Sequence, residues 1–287
     1  MTMLDELREL WKFREMLFTM VQRELKIRYK NSVLGFFWSL LNPLITVLVM
    51  TVVFKYVQQN ATKNLNAYIL AAYLPYMFFQ LCLLDASQSV LNGLNLAKKI
   101  YFPREILPLT MVISNFIHFL LALVVFFIYL LGVYLLFPDK IPFQWTTIYL
   151  PFLLVINLAL VTGLGLIVSA LNTFYEDVKY IVTVLLYLLF FILPIMYFIE
   201  SVKNAPIVTD HPWAYDVYLL NPVAMLTVAY RKILLADPPT ILVQQAHYKP
   251  IPLDMPMMVV TTLMSFAILI YGYALFNRLK WKFVERP

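Results

Sequence analysis

KKIYFPREILP, residues 98–108, sets three basic residues, one acid and two prolines between two strongly apolar stretches. Pro103 has no backbone donor and biases Phe102 away from helical geometry, so a helix ends or turns there. The flanks of this turn decide the fold. The 287-residue chain is 62% hydrophobic and 13% charged, against roughly 25% charged in ordinary soluble proteins. A soluble fold cannot bury that much apolar sequence, and a bilayer is the natural solvent for the surplus.

A helix needs about 20 apolar residues to cross a hydrocarbon core of about 30 Å. Six stretches reach that length: 36–57, 68–90, 113–137, 148–171, 180–199 and 257–276. The expectation is an all-α integral membrane protein, with six transmembrane helices in one domain over 36–277. Lysines and arginines orient it. Seven precede Phe36 (Arg8, Lys12, Arg14, Arg23, Lys26, Arg28, Lys30) and four follow Phe276 (Arg278, Lys280, Lys282, Arg286). The positive-inside rule puts both tails, 1–35 and 278–287, in the cytoplasm, which requires an even number of crossings. The turn at 98–108 falls on the same side. The outer loops carry little charge, Lys63 in one and Lys140 in another.

Two segments lie outside the spans. In 200–256, the run VYLLNPVAMLTVAYRKILL is apolar enough for a seventh crossing, but Asn221-Pro222 breaks it early and Arg231-Lys232 charges it late. It is read as short re-entrant helices at about 213–236, dipping into the outer leaflet, with a surface helix or a true span as alternatives. Near the amino terminus, Leu4, Leu7, Trp11, Phe18, Val21 and Leu25 recur at helical spacing opposite a charged face. That pattern predicts an amphipathic interfacial helix on the inner membrane surface, with Trp11 at headgroup depth.

The formal charge of +6 sits mainly in the two tails, which suits anionic membrane lipids better than nucleic acid. Cys82 is the single cysteine, and His118, His211 and His247 are scattered, so no disulfide framework or metal-ligand spacing emerges. A phosphate-binding loop needs Gly-Lys followed by a hydroxyl residue; none of the six glycines precedes a lysine, so energy must come from another chain. Asp85, near the end of the second span, is either a polar exit from the membrane or a residue of a transport path. Aromatic side chains form 16% of the sequence. Trp38, Tyr73, Tyr76, Tyr187 and Tyr197 are candidates to stack sugars along such a path, and equally candidates for interfacial belts or packing.

Physics leaves the turn itself open between two readings. Tyr101 and Phe102, projecting beside Lys98, Lys99 and Arg104, form either a protein-docking knob or an interfacial corner facing lipid phosphate. Resemblance favours the first. RYKNSVLGFFWSLLNPL (28–44), KKIYFPREILPL (98–109), LNTFYEDVKYI (171–181) and LNPVAMLTVAYRKILL (220–235) resemble, in order and over the whole chain, the membrane subunits of type-2 ABC exporters. These export polysaccharides and lipid-linked glycans: O-antigen, capsule and wall teichoic acid.

The resemblance implies a homodimer of this chain, paired with two copies of a separate ATPase that binds ATP and magnesium. This chain itself would carry no cofactor. It implies that residues 95–106 form the ATPase-coupling segment, using Lys98, Lys99, Tyr101, Phe102, Pro103, Arg104 and Glu105. Arg28, Tyr29, Ser32 and Gly35 would form the joint between the interface helix and the first span. Asn221, Pro222 and Arg231 would belong to an outer gate. In one departure, Glu176-Asp177 stands where the family often has Arg-Asp. Two rivals remain: an ABC exporter of a drug, haem or small lipid, and a membrane glycosyl- or acyltransferase using Glu176, Asp177 or His118, whose positions are far apart along the chain.

Overall fold

The computed structural model describes residues 3–29, 36–57, 59–60, 62, 64–97, 99–136, 144–238, 241–243 and 246–284. Helices α1 (Met3–Lys12) and α2 (Arg14–Tyr29) precede α3 (Phe36–Val52), which runs on as a π-turn over Val53–Val57. Then come α4 (Leu65–Ala97), α5 (Ile106–Leu136), α6 (Leu150–Phe174) with a 3-10 lead-in at Trp145–Tyr149, and α7 (Val178–Ile192). Four short helices follow: α8 (Ile199–Lys203), α9 (Pro206–Asp210), α10 (Trp213–Leu219) and α11 (Pro222–Leu234). Last are α12 (Met255–Leu279) and a 3-10 turn at Lys280–Val284. The all-α expectation needs one small correction: β1 (Ile241–Val243) and β2 (Ala246–Tyr248) pair as an antiparallel hairpin.

Among the described residues, four helical stretches are long and apolar enough to cross a membrane: Leu65–Leu94, Ile106–Leu136, Trp145–Phe174 and Met255–Phe283. The expected spans at 36–57 and 180–199 fall on shorter apolar helices, Leu41–Val57 and Val178–Ile192. The second of these stops seven residues short of its expected end. Leu193 is extended (φ −73°, ψ 147°) because Pro194 follows it, and the helix breaks there.

The bundle is built around α4. Of its apolar window 72% is buried, against 28% for α5 and for α12. The outer helices therefore turn apolar side chains such as Leu48, Val124, Ile128, Val184, Leu188, Leu263 and Ile270 outward. Such a surface is stable in hydrocarbon, where helices associate through close packing and polar contacts rather than by expelling water. The closest approach joins α6 to α12. A Cβ on Gly163 would lie 2.6 Å from the Ile268 carbonyl oxygen, so glycine at this crossing lets two backbones touch.

The amino-terminal segment does not form one flat interfacial helix. It breaks at Phe13, and α2 then runs alongside the start of α5, from Phe13 near Phe102 to Arg28 at Asn115. Its protein-facing stripe is Phe13, Met16, Leu17 and Met20, packed on Phe102, Ile106 and Leu107. Of the residues assigned from sequence to the apolar face, Val21 is buried, whereas Trp11 and Phe18 are exposed. The stripe that wins has i, i+3, i+4, i+7 spacing and buries its area against protein.

Candidate functional site

Both described ends of the chain meet the turn at 99–105, at one pole of the bundle. Lys98 lies outside the described residues. Phe102, 5% exposed, is buried among Phe13, Met16, Leu17, Met20 and Leu96, and Pro103 is buried beside it. This corrects the picture of two projecting rings: chain on both sides of Pro103 presses Phe102 inward, while Tyr101, 74% exposed, points out with Ile100 and Lys99. The Tyr101 hydroxyl donates to Glu9 Oε1 at 2.7 Å, and its ring meets Phe13 edge-on at 6.5 Å. That hydrogen bond holds the phenol above its usual pKa, so Tyr101 remains a donor throughout the physiological range.

Beneath the exposed tip lies a charged staple. Arg104 donates to the Lys280 carbonyl and sits 6.0 Å over the Phe283 ring. Glu105, buried, accepts from Lys280 Nζ at 2.6 Å, and Lys280 also lies 3.3 Å from Glu6 Oε1. Asn277 donates to the same Glu6 carboxylate. The turn is thus tied to α1 and to the end of α12 by buried charge. Removing one partner of such a pair costs about 3–5 kcal/mol, because the other is left uncompensated.

A second constellation joins residues that sequence reasoning assigned to different roles. Arg28, placed in the joint, pairs with Asp85, placed at a polar exit or in a transport path. Arg28 also donates to Asn115 Oδ1 at 2.8 Å, and Asn115 Nδ2 donates to Asp85 Oδ2 at 2.8 Å. The triangle pins α2 to α4 and α5. Asn115 was missed; its signal was a lone amide in an apolar helix, which needs a partner. Tyr29 ends α2, and the other joint residues, Ser32 and Gly35, lie outside the described residues.

At the opposite pole, Asn221 caps α11 by accepting from Val223 N at 3.0 Å, and Pro222 takes the first helical turn. Arg231, carried over to the outer gate by resemblance, is a buried charge. It is 5% exposed and donates to four carbonyls: Tyr68 at 3.2 Å, Tyr197 at 2.9 Å, and Pro194 and Ile195 at 2.8 Å each. Pro194 ends α7 and leaves the carbonyls of Pro194, Ile195 and Tyr197 outside any helix; Arg231 supplies donors to them. Its guanidinium also lies 4.9 Å over Phe198. Beside it, Lys232 bridges the buried Glu200 at 2.8 Å and Asp237 at 2.7 Å, and Glu200 accepts from Ile251 N at 3.0 Å. Glu200 was also missed, although a single acid at the end of an apolar run was its signal.

The described aromatic candidates for a path make packing contacts or face outward. Tyr76 is buried with its hydroxyl on the Leu186 carbonyl, and Tyr73 meets Phe190 edge-on at 6.2 Å. Both pack α4 on α7. Tyr197 bonds the Ile192 carbonyl and, at 3.2 Å, the Tyr218 hydroxyl. Tyr187, 65% exposed, faces outward from α7. The Trp38 side chain lies outside the described residues. Among the described residues, no three His, Cys, Asp or Glu side chains gather as a metal site.

Long apolar helices with lipid-compatible outer faces, stapled by polar side chains near their ends, define an integral α-helical membrane protein. Residues 15–235 match the ABC-2 type transporter family, and the chain belongs to that family as a transport subunit. It is 30% identical over 232 residues to the O-antigen export system permease protein RfbA of Myxococcus xanthus, covering 80% of this chain and 84% of that one. An O-antigen export system permease protein RfbA of Klebsiella pneumoniae is 25% identical over 273 residues, 94% of each chain.

Proposed function

We propose that this chain is the permease subunit of an ATP-driven exporter carrying a lipid-linked polysaccharide, of the O-antigen type, across a bacterial inner membrane. The relatives named for O-antigen export favour that cargo over a drug, haem or small lipid. Six crossings with both tails cytoplasmic follow from the charge distribution. α3 and α7 supply the two shorter crossings, and α8–α11 form the re-entrant outer structure. A single bundle packed around α4 leaves little room for a polymer, so the path runs between two copies. The apolar outward face of α7, with Val184, Leu185 and Leu188 exposed, is one surface available for that pairing.

The observation that carries the mechanism is the staple under the turn. Lys99, Ile100 and Tyr101 are offered to a partner, while Phe102, Arg104 and Glu105 are fastened to α1, α2 and the end of α12. An ATPase dimer closing on ATP and magnesium would push the exposed tip, and the staple would pass the displacement to three elements together. At the outer pole Arg231 ties α11 to the end of α7 and the start of α4, so these parts move as one body when the gate opens.

Co-expression with a candidate ATPase subunit tests the reading. Wild type co-purifies with it, and Lys99→Ala with Tyr101→Ala releases it and strands lipid-linked glycan inside the cell. Retention of the ATPase by the double variant, with normal export, refutes the coupling role.

A further inference from the structure

Between α2, the last turns of α4 and the first turns of α5 lies a cleft of about 430 Å³, which borders the coupling turn at Lys99 and lies apart from the polar staples. Its lining includes Arg23 and Lys99, both exposed, and neither side chain makes an ion pair or hydrogen bond to another described residue. Asn92, also exposed, adds an amide, and Leu107 and Met111 form an apolar wall. Glu24 lines the cleft too, so its charged side chains sum to +1. A single net charge in water holds a free anion poorly, because screening leaves little attraction beyond about 8–10 Å. Two idle cations beside an apolar wall suit a ligand with a phosphate at one end and a hydrocarbon chain at the other.

We propose that this cleft binds the head of a phosphate-bearing lipid, with Arg23 and Lys99 on the phosphate and the first methylenes against Leu107 and Met111. The volume falls within the ordinary range of small-ligand pockets, about 300–1,000 Å³. The cleft's depth fits as well. It lies between the turn at 99–105 and the Arg28–Asp85–Asn115 triangle, which is headgroup level if that pole is cytoplasmic; this depth rests on the orientation proposed above. Basic pockets between transmembrane helices on the cytoplasmic side are the expected form of such lipid sites. The phosphate has two possible sources, a bilayer phospholipid or the polyisoprenyl phosphate of a lipid-linked cargo.

Native mass spectrometry of the purified full-length chain, without any ATPase, separates these outcomes. The ligands are short-chain phosphatidylglycerol, a short-chain polyisoprenyl phosphate, diacylglycerol and inorganic phosphate. The two phosphate-bearing lipids should bind and the other two should not. Arg23→Gln and Lys99→Gln should each weaken lipid binding about 5-fold, and together about 25-fold, from about 1 kcal/mol per surface cation. Asn92→Trp should fill the cleft and abolish binding without changing charge. Polyisoprenyl phosphate binding more than tenfold tighter than phosphatidylglycerol assigns the cleft to the cargo lipid; otherwise it belongs to the bilayer. Equal binding of diacylglycerol, equal binding of inorganic phosphate, or an unaffected double glutamine variant overturns the proposal. Because export plays no part in the readout, a binding failure leaves the transport reading standing, and an export failure leaves the cleft standing.

Discussion

Replacing Arg231 by Met keeps most of its volume and removes every donor it supplies. The side chain makes four hydrogen bonds to carbonyls, at 2.8 to 3.2 Å, in surroundings that leave it 5% exposed. At about 1 kcal/mol net per bond, with a further ~1 kcal/mol for the contact with Phe198, the loss comes to about 5 kcal/mol. Lysine should recover only part of that, since a point charge on a flexible stem cannot serve four acceptors as a planar fork does. The molecule supplies its own reporter: Cys82 is its single cysteine and is fully buried, so a thiol-reactive dye labels it only on unfolding. At roughly 2–4 °C per kcal/mol for chains of similar size, Arg231→Met should lower the melting temperature by about 10–20 °C. Arg231→Lys should fall between it and wild type. A drop under about 2 °C for the methionine variant, or full recovery by lysine, would mean the carbonyls find other donors, and the knot at this pole would not exist.

The other pole yields two further expectations. Phe102→Ala should cost about 3–5 kcal/mol in the same dye assay, as truncation of a buried ring does, whereas Tyr101→Ala should leave the melting temperature within about 1 °C; equal effects would mean that both rings are exposed or both buried. Glu105→Gln and Lys280→Gln should each destabilise, and the double variant should lose less than the sum, with a coupling of at least about 1 kcal/mol; strict additivity would show that the pair is not formed.

Much of the architecture was legible because hydropathy reports directly on lipid burial. Every expected span coincides with an apolar helix, and Pro194 explains why the fifth ends early. The turn at Pro103 was legible too, since proline dictates backbone geometry wherever it stands. Which ring it buries was not, because Phe102 is covered by the stripe Phe13–Met16–Leu17–Met20, and two similar rings on adjacent residues carry no sign of which one that stripe selects. The short strands at 241–248 gave no readable alternation over three residues each. The bonding of Arg231 was not legible for a physical reason: beside an apolar run, arginine signals a membrane boundary, yet the same five donors serve equally to satisfy a broken helix end within the protein.

Polar groups carry unusual weight in this bundle. Lipid tails are as apolar as leucine, so outward-facing helices gain little from burying one another, and their positions are fixed by close backbone contact and by hydrogen bonds. The molecule has both. Gly163 lets α6 and α12 touch along their length, giving a rigid pair. Three polar clusters then fix what that pair leaves free: Glu105–Lys280–Glu6 at the terminal pole, Arg28–Asp85–Asn115 beside it, and Arg231 with its four carbonyls at the other end. Between the second and third of these stands α4, which contributes Asp85 to one and the Tyr68 carbonyl to the other. α4 therefore links the two poles through one largely buried helix rather than through the lipid-facing shell. That makes α4 the member whose tilt, more than its neighbours', must change if the two poles are coupled.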